Sequence, residues 1–123
     1  IRLTMIKKEN MCNPEQYAEL IKLGSPDFVE LKSYVHVGAG RIFYAQESMP
    51  TLEEMSVFMK QLIKYLPEYE FLRQHSHSRA ILLIKKSLNK KSWINFPKFF
   101  ELVEQEKEFT TEDYCSEIIM PNE

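Results

Sequence analysis

The chain has 123 residues, 44% of them hydrophobic and 28% charged, and its sixteen Lys and Arg against eighteen Asp and Glu leave a formal charge of −2. That length holds one domain or a piece of a larger one, and the composition excludes a disordered or collagen-like chain. The near-neutral total excludes a uniformly basic protein, and no apolar run approaches the roughly 20 residues of a membrane span.

Ile1-Arg2-Leu3-Thr4-Met5 lacks the charged and apolar regions of a signal peptide, so a cytoplasmic protein is expected. The same residues read as a strand already in progress with no initiator Met, which suggests an excerpt of a longer chain. Residues 2–6 alternate polar and apolar as a strand does. Asn13 as N-cap, Pro14 at the first helical position, the Tyr17, Leu20 and Ile21 face and Gly24 at a left-handed C′ position predict a helix near 14–23. After the turn Ser25-Pro26-Asp27, residues 28–34 read as a second strand, and strand, helix and strand in close succession predict a parallel pair. Residues 37–49 look too irregular for an element. Thr51-Leu52-Glu53-Glu54 is a capping box, followed by Met55, Phe58, Leu62, Ile63 and Leu66 at helical spacing until Pro67. Residues 69–73 and 80–84 are strand-like, and Asn95 before Phe96-Pro97 opens a last helix.

Charge is segregated along the chain. From Phe71 to Phe100 there are seven cationic residues (Arg73, Arg79, Lys85, Lys86, Lys90, Lys91, Lys98) and no Asp or Glu, whereas eight acidic residues follow from Glu101 onward against Lys107 alone. With Trp93 and two histidines in the cationic stretch, Lys85, Lys86, Lys90 and Lys91 are candidates for phosphate contacts; the alternative is a solvated loop that pairs with the acidic tail.

His75 and His77 stand at i, i+2, which on an extended segment points both to one side. Zinc needs a third and fourth ligand and none is near, so no metal is assigned. Cys12 and Cys115 fit neither a disulfide framework nor a zinc knuckle. Lys32 lies at the carboxyl end of a predicted parallel strand, the edge on which α/β proteins build active sites, with Asn10 and His36 expected at the same rim. The Gly38-Ala39-Gly40 loop has no phosphate-cradle pattern.

Several blocks together resemble the C-terminal wyosine base formation region of the tRNA 4-demethylwyosine synthases: residues 2–10, the run from Tyr17 through Gly24-Ser25-Pro26-Asp27-Phe28-Val29-Glu30-Leu31-Lys32, Met49-Pro50 with Glu53-Glu54, and Leu66-Pro67-Glu68-Tyr69-Glu70 running into His75 and His77-Ser78-Arg79. The resemblance extends from residue 2 to about residue 115. It implies an enzyme that joins a two-carbon fragment of pyruvate to N1-methylguanosine in the anticodon region of tRNA-Phe. It implies a radical made from S-adenosylmethionine at a 4Fe-4S cluster, and FMN in eukaryotic members. The C-x-x-x-C-x-x-C motif for that cluster is absent, so no cofactor is expected in this segment and the radical step is expected elsewhere in a parent chain.

By the same resemblance the fold is α/β: the last βα units of a radical-SAM-type partial (β/α) barrel over residues 1–66, and a C-terminal α+β extension over 67–123. Lys32 becomes the candidate catalytic residue. Asn10, Arg41, His77 and Arg79 are carried over as substrate or tRNA contacts, with His36 and His75 as further candidates. The family usually has Glu where Gln74 and Ser76 stand and Gly where Ser33 stands. Two readings from other classes stay open on the residues alone: a stand-alone RNA-binding accessory module without catalysis, and a structural domain whose opposed charges pair.

Overall fold

Alternation along Phe28-Val29-Glu30-Leu31-Lys32-Ser33 organises the first part of the molecule, with Val29, Leu31 and Ser33 buried and the residues between them on the other face. In the computed structural model, which describes residues 1–117, this segment is strand β2 (Phe28–Ser33). Strand β1 (Arg2–Met5) runs parallel to it, with Leu3 opposite Leu31 and Met5 opposite Ser33, and helix α1 (Pro14–Gly24) makes the crossover. The parallel pair expected from the strand, helix and strand succession is thus present.

Helix α2 (Gly40–Phe43) is a single turn, and helix α3 (Leu52–Ile63) opens on the expected capping box. Strands β3 (Tyr69–His75) and β4 (Ala80–Lys85) form a hairpin, and β4 lies antiparallel to β2, giving a four-stranded sheet of order β1-β2-β4-β3. Ala18 and Ile21 of α1 and Met55, Phe58, Met59 and Leu62 of α3 pack with Val29, Leu31, Ile81 and Leu83. Each of these side chains larger than Ala18 contributes about 1.5–3 kcal/mol when taken fully out of water. The helices therefore occupy one face of the sheet, and Glu30, Lys32, Ala80 and His75 lie on the opposite one.

Residues 1–86 form one compact unit, and a second begins at Ser87. The hairpin after Leu66 belongs to the same sheet as β1 and β2. In the second unit β5 (Lys91–Ile94) pairs antiparallel with β6 (Cys115–Glu117), and α4 (Phe96–Glu104) starts at Asn95, whose Oδ1 accepts from the Lys98 amide at 3.1 Å. Phe99 is its centre, with ring centroids 5.8 Å from Phe109 and 5.1 Å from Tyr114.

Local chemistry departs from expectation at four places. The left-handed residue that ends α1 is Ser25 (φ 45°), whose amide donates to Ile21 O, and not Gly24. Asn13 precedes α1 as expected but is itself left-handed and makes no side-chain cap. The 37–49 segment, read as irregular, holds α2 and a 3-10 turn at Gln46–Ser48. β5 and β6 were not expected, being four and three residues long with little alternation to mark them.

Candidate active site

The sheet delivers Lys32 near the end of β2, and the hairpin turn between β3 and β4 brings residues 76–79 beside it. The Ser33 amide donates to the Arg79 carbonyl at 3.0 Å, which extends the β2 to β4 ladder into the turn. The Lys32 ammonium donates to the Ser78 carbonyl and lies 3.5 Å from the Ser33 carbonyl oxygen. Lys32 is half-buried.

Around it is a cavity of about 360 Å³ whose wall includes Lys32, Tyr34, Met49, His77, Ser78 and Arg79. No Asp or Glu lines it. An acid-free pocket with an ammonium, a guanidinium and an imidazole favours an anion, since no carboxylate in the wall offsets the two cationic groups.

Arg79 is held from three directions. Its backbone is left-handed (φ 47°), its amide donates to Ser76 O at 3.1 Å, and Nη1 donates to Pro50 O at 3.3 Å. A bulky residue at positive φ is uncommon and persists where the surrounding structure imposes it. Pro50 O also lies 3.1 Å from the buried Ser33 hydroxyl, so Ser33 and Arg79 fix the same carbonyl. On the far wall the Tyr34 hydroxyl sits 3.1 Å from His36 Nδ1, the His36 amide donates to Met49 Sδ at 3.2 Å, and Gly40 lets the Tyr34 ring approach α2, since a Cβ there would meet it at 3.1 Å.

Lys32, His77 and Arg79 are therefore brought together, with His36 next to Tyr34 behind them. Asn10 lies beyond the end of β1 on the same edge of the sheet, but its Oδ1 accepts from the Ile6 amide at 2.7 Å and its Nδ2 donates to Thr4 O at 2.8 Å. Its amide closes the strand end and is absent from the cavity wall. Arg41 is exposed on α2. Lys85 donates to Ser25 O and Oγ at 2.7 and 2.8 Å, and Lys86 to Pro67 O at 2.7 Å, both at the opposite edge of the sheet. Those partners are carbonyl and hydroxyl oxygens and not carboxylates. Lys90 and Lys91 are exposed residues of the second unit.

Ser78, Ser33 and Pro50 were missed as site residues because two of the three act through backbone carbonyls, which no side-chain pattern announces. Among the described residues no group of three or more His, Cys, Asp or Glu is placed to hold a metal ion. The chain's two cysteines, Cys12 in the first unit and Cys115 in the second, do not fit the three thiolates of an iron–sulfur cluster.

Fold and cavity define a segment of a mixed α/β protein whose chemistry-bearing side chains gather at the carboxyl edge of a parallel strand pair. A family model described as wyosine base formation matches residues 23–85, slightly more than half of the chain, and the chain belongs to that family. It is 35% identical over 126 residues to the mouse S-adenosyl-L-methionine-dependent tRNA 4-demethylwyosine synthase TYW1, a match covering 94% of this chain and 18% of that protein. The fission yeast (Schizosaccharomyces pombe) enzyme of the same name is 35% identical over 128 residues, covering 94% of this chain and 19% of its own length. The Pyrococcus horikoshii enzyme is 37% identical over 89 residues, 72% of this chain and 26% of its own. The chain thus matches a fragment of these enzymes, about a fifth of the eukaryotic ones. Among solved structures it is similar to TYW1 with a lysine-pyruvate adduct bound (TM-score 0.61, 29% identity, 71% of this chain and 27% of that one). It is also similar to archaeal TYW1 (TM-score 0.55, 25% identity, 71% and 26%).

Proposed function

We propose that this chain is the C-terminal part of a cytoplasmic tRNA 4-demethylwyosine synthase, that it supplies the last βα units of a partial (β/α) barrel, and that Lys32 is the amine on which pyruvate is carried. The observation that carries the reading is the position of Lys32: a half-buried amine at the carboxyl edge of the parallel pair, in an acid-free cavity with Arg79 and His77. A similar solved structure holds a lysine-pyruvate adduct.

The chemistry follows from the groups present. The Lys32 ammonium gives up one proton, the free amine adds to the keto carbon of pyruvate, and the carbinolamine takes up one proton as water leaves, so that the iminium formed keeps one N–H. That N–H inherits the Ser78 carbonyl as acceptor. The carboxylate of pyruvate is matched by Arg79, whose remaining N–H donors face no carboxylate in the cavity wall, with His77 as a second donor.

S-adenosylmethionine and a cluster that cleaves it would supply the radical, and the residues that hold them belong to the remainder of the parent enzyme. For the tRNA substrate, with N1-methylguanosine beside the anticodon, the phosphate contacts of this chain are Lys85, Lys86, Lys90 and Lys91. Its exposed lysines favour phosphates without selecting a base.

The test is Lys32→Ala in the full-length enzyme, assayed anaerobically with N1-methylguanosine-containing tRNA, pyruvate and S-adenosylmethionine. Loss of the covalent amine should lower formation of the tricyclic base by at least about tenfold while tRNA affinity stays within about threefold. Wild-type turnover in that variant would reduce Lys32 to a bystander.

A further inference from the structure

The cavity wall takes Tyr34 and Val35 from one end of a segment and Met49 from the other, so residues 36–48 stand at its mouth. That segment leaves large apolar side chains in water: Ile42 is 80% exposed and Phe43 75%, with Val35 and Val37 exposed before them. They sit on a mounted turn. The Tyr34 ring is buried, a Cβ on Gly40 would meet it at 3.1 Å, and its centroid lies 5.6 Å from that of Tyr44, so both ends of α2 are braced on one side chain. Gly38 is left-handed (φ 56°) and its carbonyl accepts from the Arg41 amide at 3.3 Å, which turns the chain into α2. Arg41 is exposed and, among the described residues, stands in no ion pair.

The charge pattern selects what can cover this surface. No Asp or Glu occurs from Leu31 to Gln46 and none lines the cavity behind, so the region carries Lys32 and Arg41 with no carboxylate to turn a polyanion away. The apolar stripe of α4 is the contrast: Glu104 stands one turn after the exposed Phe100, and a phosphate backbone would be repelled there. An exposed ring near an unpaired guanidinium, at the mouth of an acid-free cavity, suits an unpaired base with its phosphate. We propose that α2 is a base-stacking platform: Phe43, with Ile42 beside it, stacks on the tRNA base next to the N1-methylguanosine, and Arg41 meets the adjoining phosphate. This deepens the reading of tRNA as the substrate and needs no assignment of the amine that carries the keto acid.

Affinity of the full-length enzyme for N1-methylguanosine-containing tRNA, measured at several salt concentrations, separates a stacked ring from an apolar contact of another kind. Phe43→Leu keeps apolar area and loses the π face, whereas Phe43→Trp keeps the face. Phe43→Ala and Phe43→Leu should each weaken binding at least about fivefold with the salt slope unchanged, and Phe43→Trp should stay within about twofold of wild type. Arg41→Gln should flatten the slope by about one unit. Removing the base on the 5′ or on the 3′ side of the N1-methylguanosine should, at one of the two positions, leave wild type and Phe43→Ala binding alike within about twofold. Full affinity in Phe43→Leu, or a melting temperature of the free enzyme that falls in Phe43→Ala and recovers in Phe43→Leu, would make the patch a contact to the rest of the enzyme and overturn the proposal. A loss in Phe43→Ala that persists with both abasic tRNAs would overturn it as well. Wild-type binding with indifferent Phe43 variants fails the platform alone, whereas a wild-type enzyme that does not bind the tRNA fails the reading of tRNA as substrate and the platform with it.

Discussion

At the residue scale, Asn10 and Arg79 differ in what holds them, although one resemblance nominated both as contacts. The Asn10 amide is spent on Ile6 and Thr4, so Asn10→Ala leaves the Ile6 amide without its partner and should cost about 1–2 kcal/mol of stability. The half-saturating pyruvate concentration should not move. Arg79→Met should do the reverse, raising that concentration about tenfold or more because a charge-assisted hydrogen bond to the carboxylate is removed, with little change in melting temperature. Denaturant unfolding and a pyruvate titration of trapping on the two variants check the pair. The places of Lys32 at a strand end and of His77 and Arg79 in a turn were legible because strand ends and tight turns leave a mark in sequence. Ser78 and Pro50 were not, since a carbonyl acceptor has the same formula in every residue.

At the scale of elements, α3 shows how much a local motif can fix. The Thr51 hydroxyl accepts from the Glu54 amide at 3.2 Å and Glu54 accepts from the Thr51 amide at 2.7 Å, while Lys7 lies 2.9 Å from the same carboxylate. The Thr51 amide, and after it the Lys7 ammonium, hold the Glu54 carboxyl below its ordinary range. A depressed carboxylate stabilises the fold above its unfolded pKa, and that contribution is lost as pH falls through the lower folded value. Thr51→Ala should cost about 1 kcal/mol at neutral pH. Glu54→Gln should remove part of the acid-side decline in melting temperature, and an unchanged acid limb in that variant would show the box to be electrostatically idle. The capping box, the Pro14 start and the Asn95 cap were readable because each is a few residues of fixed chemistry. The 3-10 turn at Gln46–Ser48 and strands β5 and β6 were not, because three or four residues give no period to detect and their pairing partners lie far along the chain.

At the scale of the whole molecule, the segregation of charge is legible in sequence, and the proposed tRNA contact is the use that can be tested. Lys85 and Lys86 bond neutral carbonyls, so they remain available to phosphates as charges even while they brace the sheet edge. Replacing Lys85, Lys86, Lys90 and Lys91 together by Ala should flatten the dependence of log affinity for tRNA on log salt by about one unit for each phosphate that the lysines no longer neutralise. An unchanged slope would assign the stretch to solvent. The parallel pair and its crossover were readable from the order of elements. That the hairpin joins the same sheet was not, because an antiparallel partner two elements away is chosen by packing over the full unit.

The most direct test of the account is where pyruvate attaches. The full-length protein is incubated with pyruvate and cyanoborohydride, digested, and the modified lysine located by mass. Attachment at Lys32, abolished by Lys32→Ala and shifted to higher pyruvate by Arg79→Met, is the predicted result; attachment at another lysine, with Lys32 unmodified at saturating pyruvate, would contradict it.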